Sequence, residues 1–304
     1  MSEETAADVP PEVVWQPAGS LTLVTPTGHL GPILQRSRDL VAFGLNTAAN
    51  AVPHDLPFPS LAFNVMPAKS AAMTVEEARA QFRTWILGNG LRECIDAIGP
   101  TLEWARRALF LWSGKGTATR NADGGISLTS QITGEDWNRE IALGIAKFDR
   151  LSLPDKFDRL ERQYGFARPD HTDDILSLNA ARNCLVHRGG VVGGADVKSS
   201  PDGAMHVTWI CPELWIVSPT GEKRPLEIPG HVDAGNQVGF GWAPVSRSFA
   251  LGSRVEFTLE DYVHITTTFL FFGMAVEWSV LAFQEARLAR DSVAASGGEG
   301  SSPS

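Results

Sequence analysis

Apolar residues recur at helical spacing in two parts of the chain, residues 74–187 and 258–289. The first part opens on a capping box in which Thr74 precedes Glu77, and Phe82 begins the apolar stripe that follows. Further along, a stripe with spacings of four, four and three predicts another buried helix face, formed by Trp137, Ile141, Ile145 and Phe148. These patterns indicate a protein built mainly of packed helices.

Residues 191–257 carry short apolar and aromatic runs separated by turn residues, a pattern typical of strands. Val207–Ile210 and Leu214–Val217 are the clearest of these runs. We therefore predict a mainly α fold. In this fold, residues 70–190 and 258–290 form a helical bundle, and a small β-rich insertion precedes the last helix.

Prolines interrupt the chain from residue 13 to residue 69, which disfavours regular helices across most of that stretch. The stretch is predicted to be an extended wrap with short strands, with room for one short helix between Pro32 and Asn46. Residues 1–12 are acidic and contain prolines, and residues 291–304 are rich in Ser and Gly. Both ends are predicted to be disordered tails.

Length, charge and cysteine content limit the classes of protein to which this chain can belong. The chain has 304 residues, of which 43% are hydrophobic, and is long enough to bury a core. Its formal net charge of −9 argues against a general nucleic-acid-coating protein, because phosphate contacts require Lys and Arg. The three cysteines share no metal-type spacing and are odd in number, which favours a reducing compartment. No signal peptide is visible, so a cytoplasmic location is expected.

The last predicted helix is apolar enough to raise the alternative of a membrane-attached protein. Residues 265–283 form its most apolar part, and Glu277 lies within it. A carboxylate inside a bilayer is costly, whereas a helix that is apolar all round suits the centre of a bundle or a dimer interface. The prediction is therefore that this helix does not span a membrane.

The candidate chemistry lies in the run Arg182-Asn183-x-x-x-His187, at the end of a helical pattern that Gly189 and Gly190 terminate. Arg182 falls in a stripe with Ile175, Leu178 and Leu185, where an apolar residue is expected. A guanidinium in such a place requires a carboxylate, a phosphate or carbonyl groups. Glu277 is the predicted structural ion-pair partner, because it is the acid that interrupts the apolar last helix.

Arg and His together can cleave RNA without a metal. His exchanges protons near neutral pH, and Arg matches the geometry of a phosphate with a permanent charge. Residues five positions apart point about 140° away from each other on a regular helix. Arg182 and His187 therefore converge on one phosphate if the helix unwinds at Gly189, or if a second copy of the chain supplies the opposing residue.

The run resembles the R-x4-6-H motif of HEPN domains, in which a polar residue, often Asn, follows the Arg. This resemblance implies an α-helical bundle, a homodimer with a composite active site, and metal-independent endoribonuclease activity. Many members act on tRNA or mRNA in toxin–antitoxin, anti-phage or RNA-processing systems, and an antitoxin or another regulatory protein controls some of them. Arg182 is then the phosphate-binding catalytic residue, His187 the proton-transfer residue, and Asn183 the residue that orients His187 or the phosphate.

The match departs from the family pattern at two positions. In toxins silenced by a minimal nucleotidyltransferase antitoxin, a Tyr usually lies two residues after the His, whereas this chain has Gly189. AMP transfer to that position is therefore excluded. Family members often use an acidic residue upstream of the Arg, and Asp174 is the candidate for it. The local positive patch for RNA is predicted from Arg188, Arg168 and Arg162.

The main alternative is a catalytically inactive HEPN-like module that binds a nucleotide or a partner. In that case Arg182 holds the fold together, and His187 and Arg188 only complement the helix dipole. The histidines show no metal-type spacing, so neither a metal nor another cofactor is expected. Three tryptophans of the β insertion are candidates for a base-stacking surface: Trp209, Trp215 and Trp242.

Overall fold

The computed structural model describes residues 25–50, 74–113, 116–120, 126–130, 135, 139, 147–198, 200–226 and 232–297. These residues belong to two compact units. One unit consists of Thr25–Trp104 and Phe166–Ser279, and it contains the Arg182–His187 motif. The described part of the other unit lies within Ala105–Gly165 and Val280–Ser304.

The fold is mainly helical, with a small antiparallel sheet before the last helix, which confirms that part of the sequence prediction. The helices are α1 (Pro26–Asn50), α2 (Val75–Ser113), α3 (Leu153–Tyr164), α4 (Thr172–His187), α5 (Gly194–Val197) and α6 (Leu259–Gly297). The strands are β1 (Gly116–Arg120), β2 (Ile126–Ser130), β3 (Ala204–Val217), β4 (Lys223–Pro225) and β5 (Gln237–Ala250). The helix predicted from Trp137 to Phe148 falls mostly outside the described residues.

Helix α1 corrects the expectation of an extended wrap over residues 26–50. It is a 25-residue helix that includes Pro32. Burial explains why it forms, because one face of the helix packs into the core through Leu30, Leu34, Ser37, Val41 and Leu45. The free energy gained by this burial exceeds the cost of the backbone hydrogen bond that Pro32 cannot donate. The remainder of the predicted wrap and residues 1–12 lie outside the described residues.

A buried polar cluster joins α1, α2 and α6. The hydroxyl of Tyr262 lies 2.7 Å from that of Ser37 and 3.6 Å from the thiol of Cys94. Ser37 also donates to the carbonyl of Gly90, at 3.2 Å. Gly90 is required at this contact, because a Cβ there would lie 2.4 Å from the Tyr262 hydroxyl oxygen. Burial raises the pKa of Tyr262 well above its usual value and that of Cys94 to about 11.

The last helix is the interior element of the first unit. Five of its large side chains are buried there: Tyr262, Ile265, Phe269, Phe272 and Val276. Among the described residues, the stretch Leu259–Val293 is long and apolar enough to cross a membrane, and half of its most apolar window is buried. That burial is compatible with a soluble protein. The helix continues to Gly297, so the disordered tail predicted from residue 291 is wrong up to that point.

The sheet has the strand order β4-β3-β5, and all its pairs are antiparallel. Strands β3 and β5 pair along 14 residues each, from Ala204 opposite Ala250 to Val217 opposite Gln237. The two strands predicted within 207–217 are therefore one continuous strand. Strand β3 packs against α4, which places the sheet directly behind the motif helix.

The second unit contains α3 and the β1–β2 hairpin. Helix α3 begins at a Ser152 N-cap, whose hydroxyl accepts from the N–H of Asp155, and ends at Gly165 in the left-handed conformation. Lys156 and Arg106 lie over the ring of Phe148, at 5.4 and 5.8 Å from its centroid. This unit holds one predicted site residue, Arg162.

Candidate functional site around the motif helix

Hydrogen bonds connect the N-terminal end of α4 to strand β3. The Asp174 carboxylate pairs with the His171 ring at 3.0 Å and accepts a hydrogen bond from the Thr208 hydroxyl. The Ser177 hydroxyl accepts from the N–H of Thr208 at 2.9 Å. Burial acts to raise the pKa of Asp174, but the hydrogen bonds from His171 and Thr208 outweigh it and lower that pKa. Asp174 thus joins helix to sheet, about 12 Å of helix away from Arg182.

Arg182 has few partners for a guanidinium that is mostly buried. Its side chain is 20% exposed. One terminal nitrogen donates to the Asn183 side-chain oxygen at 2.8 Å, and the other lies 3.6 Å from Asp96. Its Nε is buried, and no acceptor for it exists among the described residues. A phosphate cannot reach the buried Nε, but the two terminal nitrogens make only one hydrogen bond and one longer contact and keep N–H donors that a phosphate oxygen would satisfy.

The predicted Arg182–Glu277 ion pair is wrong. Glu277 instead accepts from the backbone N–H of Thr27 at 2.7 Å and from its hydroxyl, and so caps the N-terminus of α1. Helix α2 supplies the acid beside Arg182. At Gly88 this helix packs closely on α4, where a Cβ would lie 3.3 Å from the Leu185 side chain.

His187 is exposed at the last residue of α4, and none of the described residues pairs with it. The helix ends there because Gly189 and Gly190 adopt positive φ angles of 61° and 78°. Unwinding thus begins after His187, and the motif itself is regular helix. Arg182 and His187 leave the helix axis about 140° apart, so one chain does not bring the two side chains together. The structure does bring Arg182 and Asn183 together.

The three predicted RNA-binding arginines lie on different elements of the chain, and they differ in their partners. Arg188 forms an ion pair with Asp196, a carboxylate that is only 6% exposed and also accepts from the N–H of Gly193. Its charge is therefore balanced within the fold. Arg168 is exposed and belongs to the same unit as the motif. Arg162 lies on α3 in the other unit, where its Nε donates to the Asp158 carbonyl.

Two further arginines border this region and were not predicted. Exposed Arg254 lies 3.5 Å from the carbonyl of Gly189, at the end of α4 nearest His187. Exposed Arg92 lies on α2, one turn before Asp96, and none of the described residues pairs with it. Sequence position alone did not point to them, because tertiary packing brings Arg254 to Gly189 and brings Asp96, the neighbour of Arg92 on α2, to Arg182.

The three candidate tryptophans differ in their surroundings. Trp209 is 1% exposed and belongs to the core, so it is not a contact residue. Trp215 lies flat over β5, where a Cβ on Gly239 would be 2.0 Å from the indole nitrogen. Trp242 is 38% exposed and forms an edge contact with Phe240, at a centroid distance of 5.3 Å. Trp215 and Trp242 remain on the surface of the sheet.

An open groove of about 890 Å³ lies between α1 and α2. Apolar side chains dominate its walls. The sequence did not predict the groove, because one wall is α1, which lies within the stretch expected to be mostly extended, and the other is α2. Asp96 lines the groove and also contacts Arg182, so the groove reaches the candidate site. The apolar members of its lining that are also exposed to solvent are Leu40, Phe43, Phe82 and Trp85.

No group of three or more His, Cys, Asp or Glu side chains suited to a metal ion occurs in the part of the chain that the structure describes. The motif itself offers a guanidinium, an amide and an imidazole, and Asp96 adds a carboxylate beside the guanidinium. Comparison with protein-family models, with curated proteins and with solved structures finds no match to this chain.

Proposed function

We propose that this protein is a HEPN-like, metal-independent endoribonuclease that works as a homodimer. The proposal rests on the contacts and the exposure of the motif side chains on α4. Asn183 accepts a hydrogen bond from Arg182, the terminal nitrogens of Arg182 keep further N–H donors, and His187 is solvent-exposed. The proposed substrates are tRNA or mRNA in the cytoplasm, in bacterial defence or toxin–antitoxin biology, with an antitoxin or regulatory protein as a further partner.

The proposed reaction is internal transfer at the scissile phosphate. The RNA 2′-hydroxyl loses its proton to one imidazole and attacks the phosphorus. The 5′-oxygen leaves and takes a proton from a second imidazole. Arg182 binds the non-bridging oxygens and stabilises the charge that builds on them. The products are a 2′,3′-cyclic phosphate and a 5′-hydroxyl.

This reaction requires a second copy of the chain. Each chain offers one motif histidine, and acid and base roles in one turnover require two imidazoles. A two-fold dimer supplies both, and it also allows His187 of one copy to face Arg182 of the other. Asn183, which accepts from Arg182 at 2.8 Å, then acts by orienting the guanidinium.

The test is cleavage of total RNA and of tRNA in the presence of EDTA. Wild type is expected to produce 2′,3′-cyclic phosphate ends, whereas Arg182→Ala and His187→Ala are not. Arg150→Ala and His206→Ala are matched controls, because both residues are exposed and lie outside the motif. Cleavage that survives both motif substitutions would contradict the proposal, and so would loss of cleavage in the controls.

The contact between Arg182 and Asp96 favours a second candidate, the catalytically inactive binding module. A carboxylate 3.6 Å from the guanidinium already supplies part of the negative charge that a phosphate would bring. In this case wild type binds a nucleotide or RNA with Arg182-dependent affinity and leaves RNA uncut. Binding measured beside the cleavage assay separates the two functions.

A further inference from the structure

The groove between α1 and α2 exposes more apolar surface than the fold of one chain explains. Phe43 is 72% exposed, Trp85 59%, Leu40 54% and Phe82 38%. Phe82 and Trp85 stack on each other, with ring centroids 5.9 Å apart. Isolated exposed apolar residues are ordinary, but four around one open groove of about 890 Å³ are a typical interaction surface.

The area is suited to a protein interface. If each of these four side chains spans about 200 Å², their exposed fractions amount to roughly 450 Å² of apolar surface per copy. A standard interface buries about 800 Å² per partner, with an apolar centre and a polar rim. The four side chains therefore provide more than half of a standard interface as its centre.

The charges around the groove are self-complementary. Arg92 and Asp96 are four residues apart on α2, and both line the groove. Arg92 is exposed without a partner among the described residues, and Asp96 is 63% exposed. When a two-fold axis relates two copies of α2, Arg92 of one copy meets Asp96 of the other, and the reverse pair forms at the same time.

The groove is also continuous with a site that is incomplete in one copy. Asp96 lines the groove and contacts Arg182, while His187 points about 140° away from Arg182 around the helix axis. We propose that the α1–α2 groove is the surface through which two copies of this chain associate. The link to catalysis rests on the proposed function, but the apolar area and the charge pattern do not depend on it.

The test measures oligomeric state without RNA. Sedimentation equilibrium of the full chain is expected to show a dimer that the double substitution Phe43→Ser/Trp85→Ser weakens by at least about a hundredfold. Trp278→Ser is the matched control, because Trp278 is 63% exposed and lies outside the groove lining. This control is expected to keep the dimer. A wild type that stays monomeric, or a dimer that survives the double substitution, would overturn the proposal.

A second measurement requires no variant. Hydroxyl-radical footprinting of wild type at low and high protein concentration reports the accessibility of individual side chains. Trp85 and Phe43 are expected to become protected as concentration rises, while Trp278 stays reactive. Protection of Trp85 at concentrations where sedimentation shows a monomer would show that another segment of the same chain covers the groove, and that result would refute association through it. RNA cleavage by a dimer with an accessible groove would refute this inference alone and leave the proposed function standing.

Discussion

Mixing wild type with the His187→Ala variant is expected to lower RNA cleavage by more than the dilution of wild-type chains. The reason is geometric and chemical. In regular helix the Arg182 and His187 Cα atoms are separated by a rise of about 7.5 Å, and their side chains point about 140° apart. The structure keeps α4 helical through His187, so no local unwinding redirects the imidazole toward Arg182. The proposed reaction also uses one imidazole as base and a second as acid, so each complete site requires the His187 of both copies.

The size of the loss follows from this pairing. Random exchange of equal amounts makes half of the dimers mixed and leaves a quarter fully wild type. A mixed dimer lacks one of the two imidazoles and is expected to be inactive. The mixture is therefore expected to keep about a quarter of wild-type activity at equal total protein. If each chain carries its own complete site, the mixture keeps about half.

The assay is cleavage of a labelled tRNA in EDTA after wild type and His187→Ala are co-purified with different affinity tags. Tandem purification proves that the dimer is mixed. Pairing wild type with His206→Ala is the matched control, because that exposed histidine lies outside the motif. A proven mixed dimer of wild type and His187→Ala that keeps half of wild-type activity would refute the shared site, provided that wild type cleaves the same RNA.

Three further substitutions test the contacts that hold the unit together. Glu277→Ala removes the cap on the N-terminus of α1 and is expected to lower the free energy of unfolding by about 1–2 kcal/mol in urea. Gly239→Ala forces the Trp215 ring from β5 and is expected to cost about 1–3 kcal/mol, with a change in near-UV circular dichroism. The lowered pKa of Asp174 adds stability above the ordinary pKa of an Asp, about 3.9, and this stability is lost as pH falls through the lower folded-state value. Asp174→Asn should therefore make unfolding less dependent on pH in the acid range, and an unchanged acid limb would contradict this assignment.

The sequence predicts correctly those elements that depend on residues close together in the chain. The Thr74–Glu77 capping box forms as expected, with the Thr74 N–H donating to Glu77 at 2.8 Å. Only a short helix between Pro32 and Asn46 was expected where α1 spans Pro26–Asn50, because prolines are strong local signals and the burial of Leu30 and Val41 is a tertiary effect. Strand β5 was missed because Gly239 and Gly241 lower its strand propensity, although they give Trp215 the space to lie flat on the sheet.

The candidate site also combines features that are visible in the sequence with contacts that only tertiary packing creates. The order Arg182, Asn183, His187 at the end of a helix is visible in the sequence, and so is the 140° angle it implies. The carboxylate beside Arg182 is not visible, because Asp96 lies on a different helix and reaches Arg182 only through the packing of α2 on α4. Glu277 was predicted to pair with Arg182 because each is an isolated charge on an apolar helix face. In the structure the N-terminus of α1 offers this carboxylate N–H groups that have no partner within the helix.

The cap that Glu277 places on Thr27 sets an order of events during synthesis. Glu277 follows Thr27 by 250 residues, so those residues must be made before α1 is capped. Until then the first turn of α1 has free N–H groups and its apolar face lacks α6. A nascent chain that stops before α6 is expected to expose this face, which makes the unfinished chain a substrate for chaperones.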